Sequence, residues 1–288
     1  MEIESFYPLS SVGVLDIAGR SVRGKLHSHN TDHYLAVKLG RVQETLISSL
    51  APIDLPPRFE EYAYSILVAD GRGRRGAGAR ASRVALSTLA HLAIRYGKWH
   101  VRVDPETAED IKAQIEFFSR QAHDALYQAH LADSEQSDLA TSLTAVYIAG
   151  TDLFAMAVGT SKALLFRDDH LVQLTTDRTL HQWLGVAHAR TSGDTAPDLR
   201  KAGEKTTGEE PGSPFSIEQV QLASGDRLLL STNGLTDFVT EREIAEALTS
   251  RRRPGEQCQE LVDLALAAGS ADDITVVVAD YRLRARPD

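Results

Sequence analysis

The chain has 288 residues, of which 42% are hydrophobic and 25% are charged, and its formal net charge is −9. This is the composition of a globular protein, and its acidic balance argues against nucleic acid and anionic membrane surfaces as partners. The single cysteine, Cys258, excludes an intramolecular disulfide and agrees with a cytoplasmic location. No apolar run approaches the ~18 residues of a membrane span, and residues 1–20 have no signal-peptide pattern.

The first half of the chain predicts strands followed by two long helices. One helix follows the glycines after residue 70, where small and apolar residues recur at helical spacing. The other begins at Asp104-Pro105, because Asp is a good N-cap and Pro suits the first turn of a helix. The predicted strands before these helices cover 10–24, 34–39 and 62–70, and 41–61 is a predicted connection.

After residue 140 the hydrophobic period becomes that of strands. Tight turns at 150–152 and 168–169 divide residues 142–175 into short runs, which predicts an antiparallel meander because such turns cannot join parallel strands. The segment 185–214 is rich in Gly, Thr, Pro and acidic residues and is a predicted mobile loop. The chain as a whole is therefore predicted to be one α+β domain over 1–288. The remaining predicted elements are strands over 217–222, 226–231 and 274–283 and helices over 241–250 and 256–268.

Four polar side chains stand at the ends of predicted strands. Asp32 precedes one strand, Asp70 and Asn233 each follow one, and Asp272 precedes the closing strand. Carboxylate and amide oxygens are the ligands that Mg²⁺ and Mn²⁺ prefer, and a pair of such ions can activate water for attack on a phosphate. Asp and Asn also favour strand-to-turn junctions for conformational reasons, so the spacing alone does not establish a metal site.

Other patterns leave alternatives open. Gly71, Gly73 and Gly76 form a G-x-G-x-x-G run between a strand and a helix, which matches a dinucleotide-binding fingerprint, although a meander does not fit the βα alternation of that fold. A second pattern consists of His27, His29, Asp32 and His33. These residues form either a transition-metal site or a polar surface turn. A third is a set of arginines, Arg72, Arg74, Arg75 and Arg80, which forms a solvated face or an anion-binding loop.

Taken in order, these segments resemble the bacterial type 2C (PPM-type) metal-dependent serine/threonine protein phosphatases. The similarity covers nearly the whole chain and rests on several motifs. VADGRGRRGAGARAS (68–82) resembles the family's VADGMGG segment, and DRLLLSTNGLTDFV (226–239) resembles its DxLLLCSDGLTD segment. The other matching segments are HNTDHY (29–34), TSLT (141–144), AVGTSKALLFRDDHLVQLTTDRTL (157–180) and GSADDITVVVADY (269–281).

The resemblance implies an αββα four-layer sandwich with a two-metal centre between its sheets. It implies Mg²⁺ or Mn²⁺ as cofactor and hydrolysis of phosphoserine and phosphothreonine by metal-activated water, with no protein nucleophile. Carried over residue by residue, Asp70 would bridge both metal ions and the carbonyl of Gly71 would bind one of them. Asp272 would bind the second ion, and Asp32 would support the metal shell.

The chain departs from the family's pattern where the chemistry would occur. Asn233 stands for a metal-binding Asp, Thr160 for the Asp linked to a third metal, Thr31 for a Glu, and His27 for the phosphate-binding Arg. The change from Asp to Asn removes one negative charge. The Coulomb energy of two unit charges ~4 Å apart in a protein is roughly 4 kcal/mol, before desolvation is counted. His27, Arg72 and Arg74 are the candidate phosphate-binding residues that remain.

We therefore expect an incomplete dimetal site with reduced occupancy, holding one ion or none. The predicted function is that of a weak or inactive pseudophosphatase that binds a regulatory protein or phosphoprotein. The alternative is an active Mg²⁺- or Mn²⁺-dependent phosphatase built around Asp70 and Asp272. The sequence favours neither nucleic acid nor membrane as a partner and does not specify the oligomeric state.

Overall fold

The structure is a computed structural model that describes residues 13–51, 58–73, 76–98, 100, 103–132, 139–175, 184–185, 217–250 and 252–283. The strands are β1 (Gly13–Val22), β2 (Asp32–Glu44), β3 (Arg58–Arg72), β4 (Ala140–Thr141), β5 (Leu143–Ala149), β6 (Asp152–Val158), β7 (Lys162–Arg167), β8 (His170–Gln173), β9 (Leu184–Gly185), β10 (Ile217–Gln221), β11 (Arg227–Ser231) and β12 (Ile274–Leu283). The helices are α1 (Ala77–Tyr96), α2 (Pro105–Leu131), α3 (Asn233–Thr236), α4 (Glu241–Thr249) and α5 (Pro254–Ala267).

The described strands form two sheets. One has the order β1-β12-β11-β7-β8, and the other has the order β10-β6-β5-β3-β4-β9, with β2 paired to β3. Every pairing found within these strands is antiparallel. This pairing is inconsistent with the dinucleotide-binding alternative, which needs parallel strands joined by helices.

The two sheets and the helices stack in four layers, as predicted. Leu228 and Leu230 of β11 enter the core between the sheets, whereas Leu229 faces the core that includes α4 and α5. β3 alternates in the same way, with Ile66 in the core between the sheets and Leu67 packed with α1 and α2. Successive strand residues point to opposite faces, so a strand that is apolar throughout is covered on both sides. The αββα sandwich is confirmed.

The helices begin where the sequence indicates. Asp104 caps α2, since its side chain accepts a hydrogen bond from the amide of Thr107 at 2.8 Å, and Pro105 occupies the first turn. Thr240 and Glu243 form a reciprocal capping box at the start of α4. None of the helices in the described part of the chain is both long enough and apolar enough to cross a membrane.

The predicted connection over 41–61 is partly wrong. β2 continues to Glu44 and β3 begins at Arg58, so the two strands form a long hairpin that pairs from Asp32↔Asp70 to Glu44↔Arg58. The residues at 41–44 are exposed, and a strand end without a buried face shows no hydrophobic alternation.

The antiparallel meander predicted over 142–175 is partly wrong, because its strands form two antiparallel hairpins that belong to different sheets. β5 and β6 pair in the seven-stranded sheet, whereas β7 and β8 pair in the five-stranded sheet. The chain crosses between the sheets at 159–161. Local turn chemistry predicts hairpins, but it does not determine which sheet each hairpin joins. The predicted loop over 185–214 lies outside the described residues except for Gly185.

Candidate metal centre

The candidate site lies where strand ends of both sheets meet. Asp32 begins β2 and stands directly opposite Asp70, near the end of β3. Side chains directly opposite on antiparallel strands share a face, with Cβ atoms about 5 Å apart. From the other sheet, Asn233 follows β11, and Asp272 belongs to the turn before β12. The fold therefore brings the predicted oxygen ligands of the two sheets to a common seam.

The backbone of Asp70 is fixed by neighbouring hydroxyl groups. Its carbonyl accepts hydrogen bonds from the amide of Ser142 and the hydroxyl of Thr141, both at 2.9 Å. The Ser142 hydroxyl in turn lies 2.6 Å from that of Ser161 in the crossover between the sheets. The TSLT segment (141–144) thus positions the end of β3, and this contact is a structural reason why the segment belongs to the family's motifs.

Burial raises the pKa of Asp70 to about 6, and the nearby Asp272 carboxylate contributes to the increase. Asp273 acts in the same direction, while Arg72 and His27 lower the pKa of this carboxyl. The carboxylates therefore repel one another in the protein alone. A bound cation would remove this repulsion.

Asp32 is buried and only half satisfied by hydrogen bonds. Its backbone amide donates to the side chain of Asn30 at 2.9 Å, and its Oδ2 accepts from the Thr232 hydroxyl at 2.8 Å. Its Oδ1 is buried and has no hydrogen-bond partner within the described residues. Burial, followed by the Asp70 charge, raises the pKa of Asp32 well above its ordinary value. A buried carboxylate oxygen without a partner is the kind of group that a cation satisfies.

Asn233 begins the short helix α3. Its Nδ2 donates to Asp237 at 3.3 Å, which leaves Oδ1 as the atom available to a ligand. This Oδ1 is buried and has no partner in the part of the chain described. The donor set of carboxylate and amide oxygens fits a divalent cation, with one carboxylate fewer at residue 233 than the family's pattern has.

Asp273 is the main site residue that the sequence analysis missed. Its side chain is 1% exposed, and it accepts hydrogen bonds from the Gly24 amide at Oδ1 and from the amide and hydroxyl of Thr31 at Oδ2, each at 2.8 Å. Thr31 stands where the family has Glu, and Asp273 stands where the family's GSxDNITVVV motif has Asn. One carboxylate is thus lost at residue 31 and one is gained at residue 273.

Glycines let the segments of the site approach closely. A Cβ atom at Gly71 would lie 1.9 Å from the carbonyl oxygen of Gly78 in α1. A Cβ atom at Gly24 would lie 2.2 Å from the carbonyl oxygen of Asp272, so the loop after β1 presses on the turn before β12. The role of the Gly71 carbonyl as a metal ligand stays a prediction.

The remaining predicted residues are distributed as follows. His27 is half-buried, with Nδ1 3.2 Å from Asp273 and 3.7 Å from Asp272, and its phosphate-binding role stays a prediction. Arg72 is exposed and close enough to lower the pKa of Asp70. Thr160 has a buried hydroxyl without a partner within the described residues. Arg74 lies outside those residues.

The geometry does not support the transition-metal alternative for His27, His29, Asp32 and His33 as one cluster. His29 is exposed and lies beside the Ser28 hydroxyl, whereas His33 lies 2.9 Å from the Ser82 hydroxyl. Burial lowers the pKa of His33, which favours a neutral imidazole there. Only His27 approaches the acidic residues at the start of β12.

Comparison with known sequences gives concordant results. Residues 58–268 match the family described as Protein phosphatase 2C. The serine/threonine protein phosphatase PstP of Mycobacterium tuberculosis is 32% identical over 218 residues, which is 75% of this chain and 40% of PstP. The serine/threonine phosphatase stp of Listeria innocua is 26% identical over 92% of this chain and 95% of its own length. The chain thus spans less than half of the mycobacterial relative.

Solved structures agree with the sequence matches. The catalytic domain of the serine/threonine phosphatase PstP in complex with two manganese ions has a TM-score of 0.64 and 26% identity, with coverage of 94% of this chain and 99% of the other. The Streptococcus agalactiae serine/threonine phosphatase has a TM-score of 0.65 at 20% identity, over 93% of this chain and 99% of the other, and shows the same fold. The sequence match, the two stacked sheets and the acidic seam together place this chain in the protein phosphatase 2C family.

Proposed function

We propose that this chain is a type 2C-like protein whose phosphatase activity is weak or absent and whose role is to bind a regulatory protein or phosphoprotein. The observation that carries the proposal is the buried Oδ1 of Asn233, which has no hydrogen-bond partner among the residues described and stands where the family has a carboxylate. Thr160 removes a second family carboxylate, and its hydroxyl is likewise buried without a partner in the described residues. A neutral amide oxygen attracts a divalent ion less than a carboxylate does.

The residues that would hold such an ion are Asp70, Asp272 and Asn233, with Asp32 behind them. A divalent ion at this seam supplies positive charge that polarises a phosphate ester and activates water. The chain itself contributes the positioning. Thr232 holds Asp32, and Ser142 with Thr141 holds the end of β3. Arg72 contributes an exposed guanidinium beside Asp70 that suits a phosphate group.

A second candidate is an active Mg²⁺- or Mn²⁺-dependent serine/threonine phosphatase. The observation that favours it is the Asp273 carboxylate, which restores negative charge where the family has Asn. Asp32, Asp70 and Asp272 are also all retained. Under this alternative, Asp70 and Asp272 would hold the catalytic ion. The loss of a carboxylate at residue 233 would lower the affinity for divalent ions without abolishing turnover.

One assay separates the two candidates. Hydrolysis of p-nitrophenyl phosphate and of a phosphothreonine peptide is measured with excess Mn²⁺ for the wild type and for Asp70→Ala, with Asp124→Ala on the exposed face of α2 as the matched control. We expect wild-type turnover to be close to that of Asp70→Ala. Robust turnover that Asp70→Ala abolishes and Asp124→Ala leaves intact would establish the active alternative.

The binding role needs its own test. Fluorescence anisotropy compares a phosphothreonine peptide with its unphosphorylated form, using the wild type and Arg72→Ala. We expect preference for the phosphorylated peptide and a loss of that preference in Arg72→Ala. Equal binding of the two peptides by the wild type would contradict a phosphate-directed role.

A further inference from the structure

Three ligand atoms from distant parts of the chain converge beside the predicted dimetal residues. His27 lies in the loop between β1 and β2, and Asp272 and Asp273 lie in the turn before β12. Nδ1 of His27 is 3.2 Å from Oδ2 of Asp273 and 3.7 Å from Oδ1 of Asp272. One ligand atom from each residue lies within 4.8 Å of the others.

The two separations from His27 are close to those between neighbouring ligands of one cation. Metal–nitrogen and metal–oxygen bonds of roughly 2.1 Å place adjacent ligand atoms roughly 3.0–3.5 Å apart. The contact between His27 and Asp273 meets this range, and the contact between His27 and Asp272 exceeds it by a few tenths of an ångström. The first contact is also within hydrogen-bonding distance, whereas the second is longer than a hydrogen bond.

The surroundings hold the three side chains in place. The amide and hydroxyl of Thr31 fix Oδ2 of Asp273, and the Gly24 amide fixes Oδ1. The Arg23 guanidinium donates to the carbonyl of His27 at 2.6 Å, which restrains the loop that carries the imidazole. The Gly24 hydrogen bond lies on the carboxylate oxygen away from His27 and orients the ligand, whereas the Thr31 hydroxyl has to turn away from Oδ2 when an ion binds there. His27 and Asp272 are 39% and 27% exposed, so a cation can enter from solvent.

The nitrogen ligand determines which cation suits the site. Mg²⁺ prefers oxygen ligands alone, whereas imidazole favours first-row transition metals and Zn²⁺. His27 stands where the family has a phosphate-binding Arg, which cannot ligate a cation. The substitution therefore replaces a permanent positive charge with a metal-ligating group next to two carboxylates.

We propose that His27, Asp272 and Asp273 form a cation site of one nitrogen and two oxygen ligands that selects Zn²⁺ or Co²⁺ over Mg²⁺. The site shares Asp272 with the predicted dimetal set, and this is the only respect in which it rests on the proposed function. It requires no phosphatase activity.

The test is titration of the full chain with Co²⁺, Zn²⁺ and Mg²⁺, followed by visible absorption for Co²⁺ and by calorimetry for all three ions. We expect His27→Ala to weaken Co²⁺ and Zn²⁺ binding at least tenfold and to change Mg²⁺ binding by less than twofold. The NMR spectrum of the Co²⁺ form should contain a strongly shifted exchangeable histidine proton that His27→Ala lacks. His29→Ala, an exposed histidine two residues away, is the matched control and should leave all three measurements unchanged.

Several outcomes would overturn the inference. Equal Co²⁺ binding by the wild type and His27→Ala would do so, and so would an equal loss in His29→Ala, because binding would then be spread over surface histidines. If Asp70→Ala abolishes the Co²⁺ spectrum while His27→Ala preserves it, the ion occupies the family's dimetal position and this inference is wrong. His27→Gln, which keeps a hydrogen-bond donor but lacks the imidazole, should lose the preference for Zn²⁺ over Mg²⁺ and covers the possibility that His27→Ala does not fold.

Discussion

The amide of Asn233 can be tested directly, since Asp differs from it by one charge and almost no volume. We expect Asn233→Asp to tighten Mn²⁺ binding about tenfold, which corresponds to about 1.4 kcal/mol, because the buried Oδ1 becomes part of a carboxylate facing the ion. Calorimetric titration measures the change. Gln128→Glu adds the same charge on the exposed face of α2 and should have no effect. If both variants bind Mn²⁺ as the wild type does, the charge missing at residue 233 does not limit affinity.

The raised pKa of Asp70 predicts how stability depends on pH in metal-free protein. The folded state keeps this proton up to about pH 6, whereas the unfolded state releases it near 3.8. The folded state therefore binds more protons within this window, and the stability contributed by Asp70 is lost as pH rises through it. We expect Asp70→Asn to reduce the decline in unfolding free energy between pH 4 and pH 6 by on the order of 2 kcal/mol. Urea unfolding at several pH values measures it, and an unchanged slope would contradict the burial of this carboxyl.

The same proton predicts how metal binding depends on pH. A divalent ion must displace the proton from Asp70, so Mn²⁺ affinity should increase as pH rises through about 6. Calorimetry in buffers of different ionisation enthalpy would detect proton release at pH 5.5 and little release at pH 7.5. Release that is the same in Asp70→Asn would show that another group carries the proton.

At the residue scale, the sequence predicts which acidic residues belong to the site but not which residues they contact. Asp32, Asp70 and Asp272 follow from strand ends and motif matches. Asp273 was overlooked because its neighbour matched the family's metal-binding Asp, although the replacement of the family's Asn was visible in the sequence. Its pairing with Thr31 joins positions 242 residues apart, and no local pattern reports such a contact.

At the element scale, an ion pair fixes β7 to the turn before β11. The Nε and Nη2 atoms of Arg167 donate to the two carboxylate oxygens of Asp226, at 2.7 and 2.5 Å, and Asp226 is 2% exposed. We expect Arg167→Met to lower the unfolding free energy by about 2–4 kcal/mol, because it leaves a buried charge without its partner.

Chemical denaturation of the variant and of a matched control measures this effect. Arg242 pairs with Glu246 on the surface of α4, where both side chains are largely exposed. Arg242→Met should therefore change stability by less than about 0.5 kcal/mol. Equal losses in both variants would mean that burial of Asp226 does not set the strength of the pair.

The elements that sequence reasoning recovered are those with two buried faces or a clear cap. β11 and β12 appear as continuous apolar runs, and the Asp104 cap gives the start of α2. The outer half of the β2–β3 hairpin was missed because its side chains are exposed and polar. The crossover at 159–161 was missed because the choice of sheet depends on packing between segments far apart in the chain.

At the scale of the whole molecule, the site depends on both sheets at once. Asp32 and Asp70 belong to the seven-stranded sheet, whereas Asn233 and Asp272 stand beside strands of the five-stranded sheet. We expect Mn²⁺ at about 100 times its dissociation constant to stabilise the fold by about 2.7 kcal/mol, because only the docked sheets present all the ligands. Differential scanning calorimetry measures the rise in Tm. Asp70→Ala should abolish the rise, and a rise of the same size in that variant would place the stabilising ion elsewhere.

The position of β12 has a further consequence for how the protein is made. β12 lies between β1 and β11, so its pairings with these two strands form only after β12 has left the ribosome, whereas β11 can pair with β7 earlier. Asp272 and Asp273 emerge just before it, while Asp32 and Asp70 were synthesised some 200 residues earlier. Asp32 and Asp70 therefore remain without Asp272 and Asp273 until those residues have been synthesised, and a nascent chain halted before residue 272 lacks part of every cation site described above.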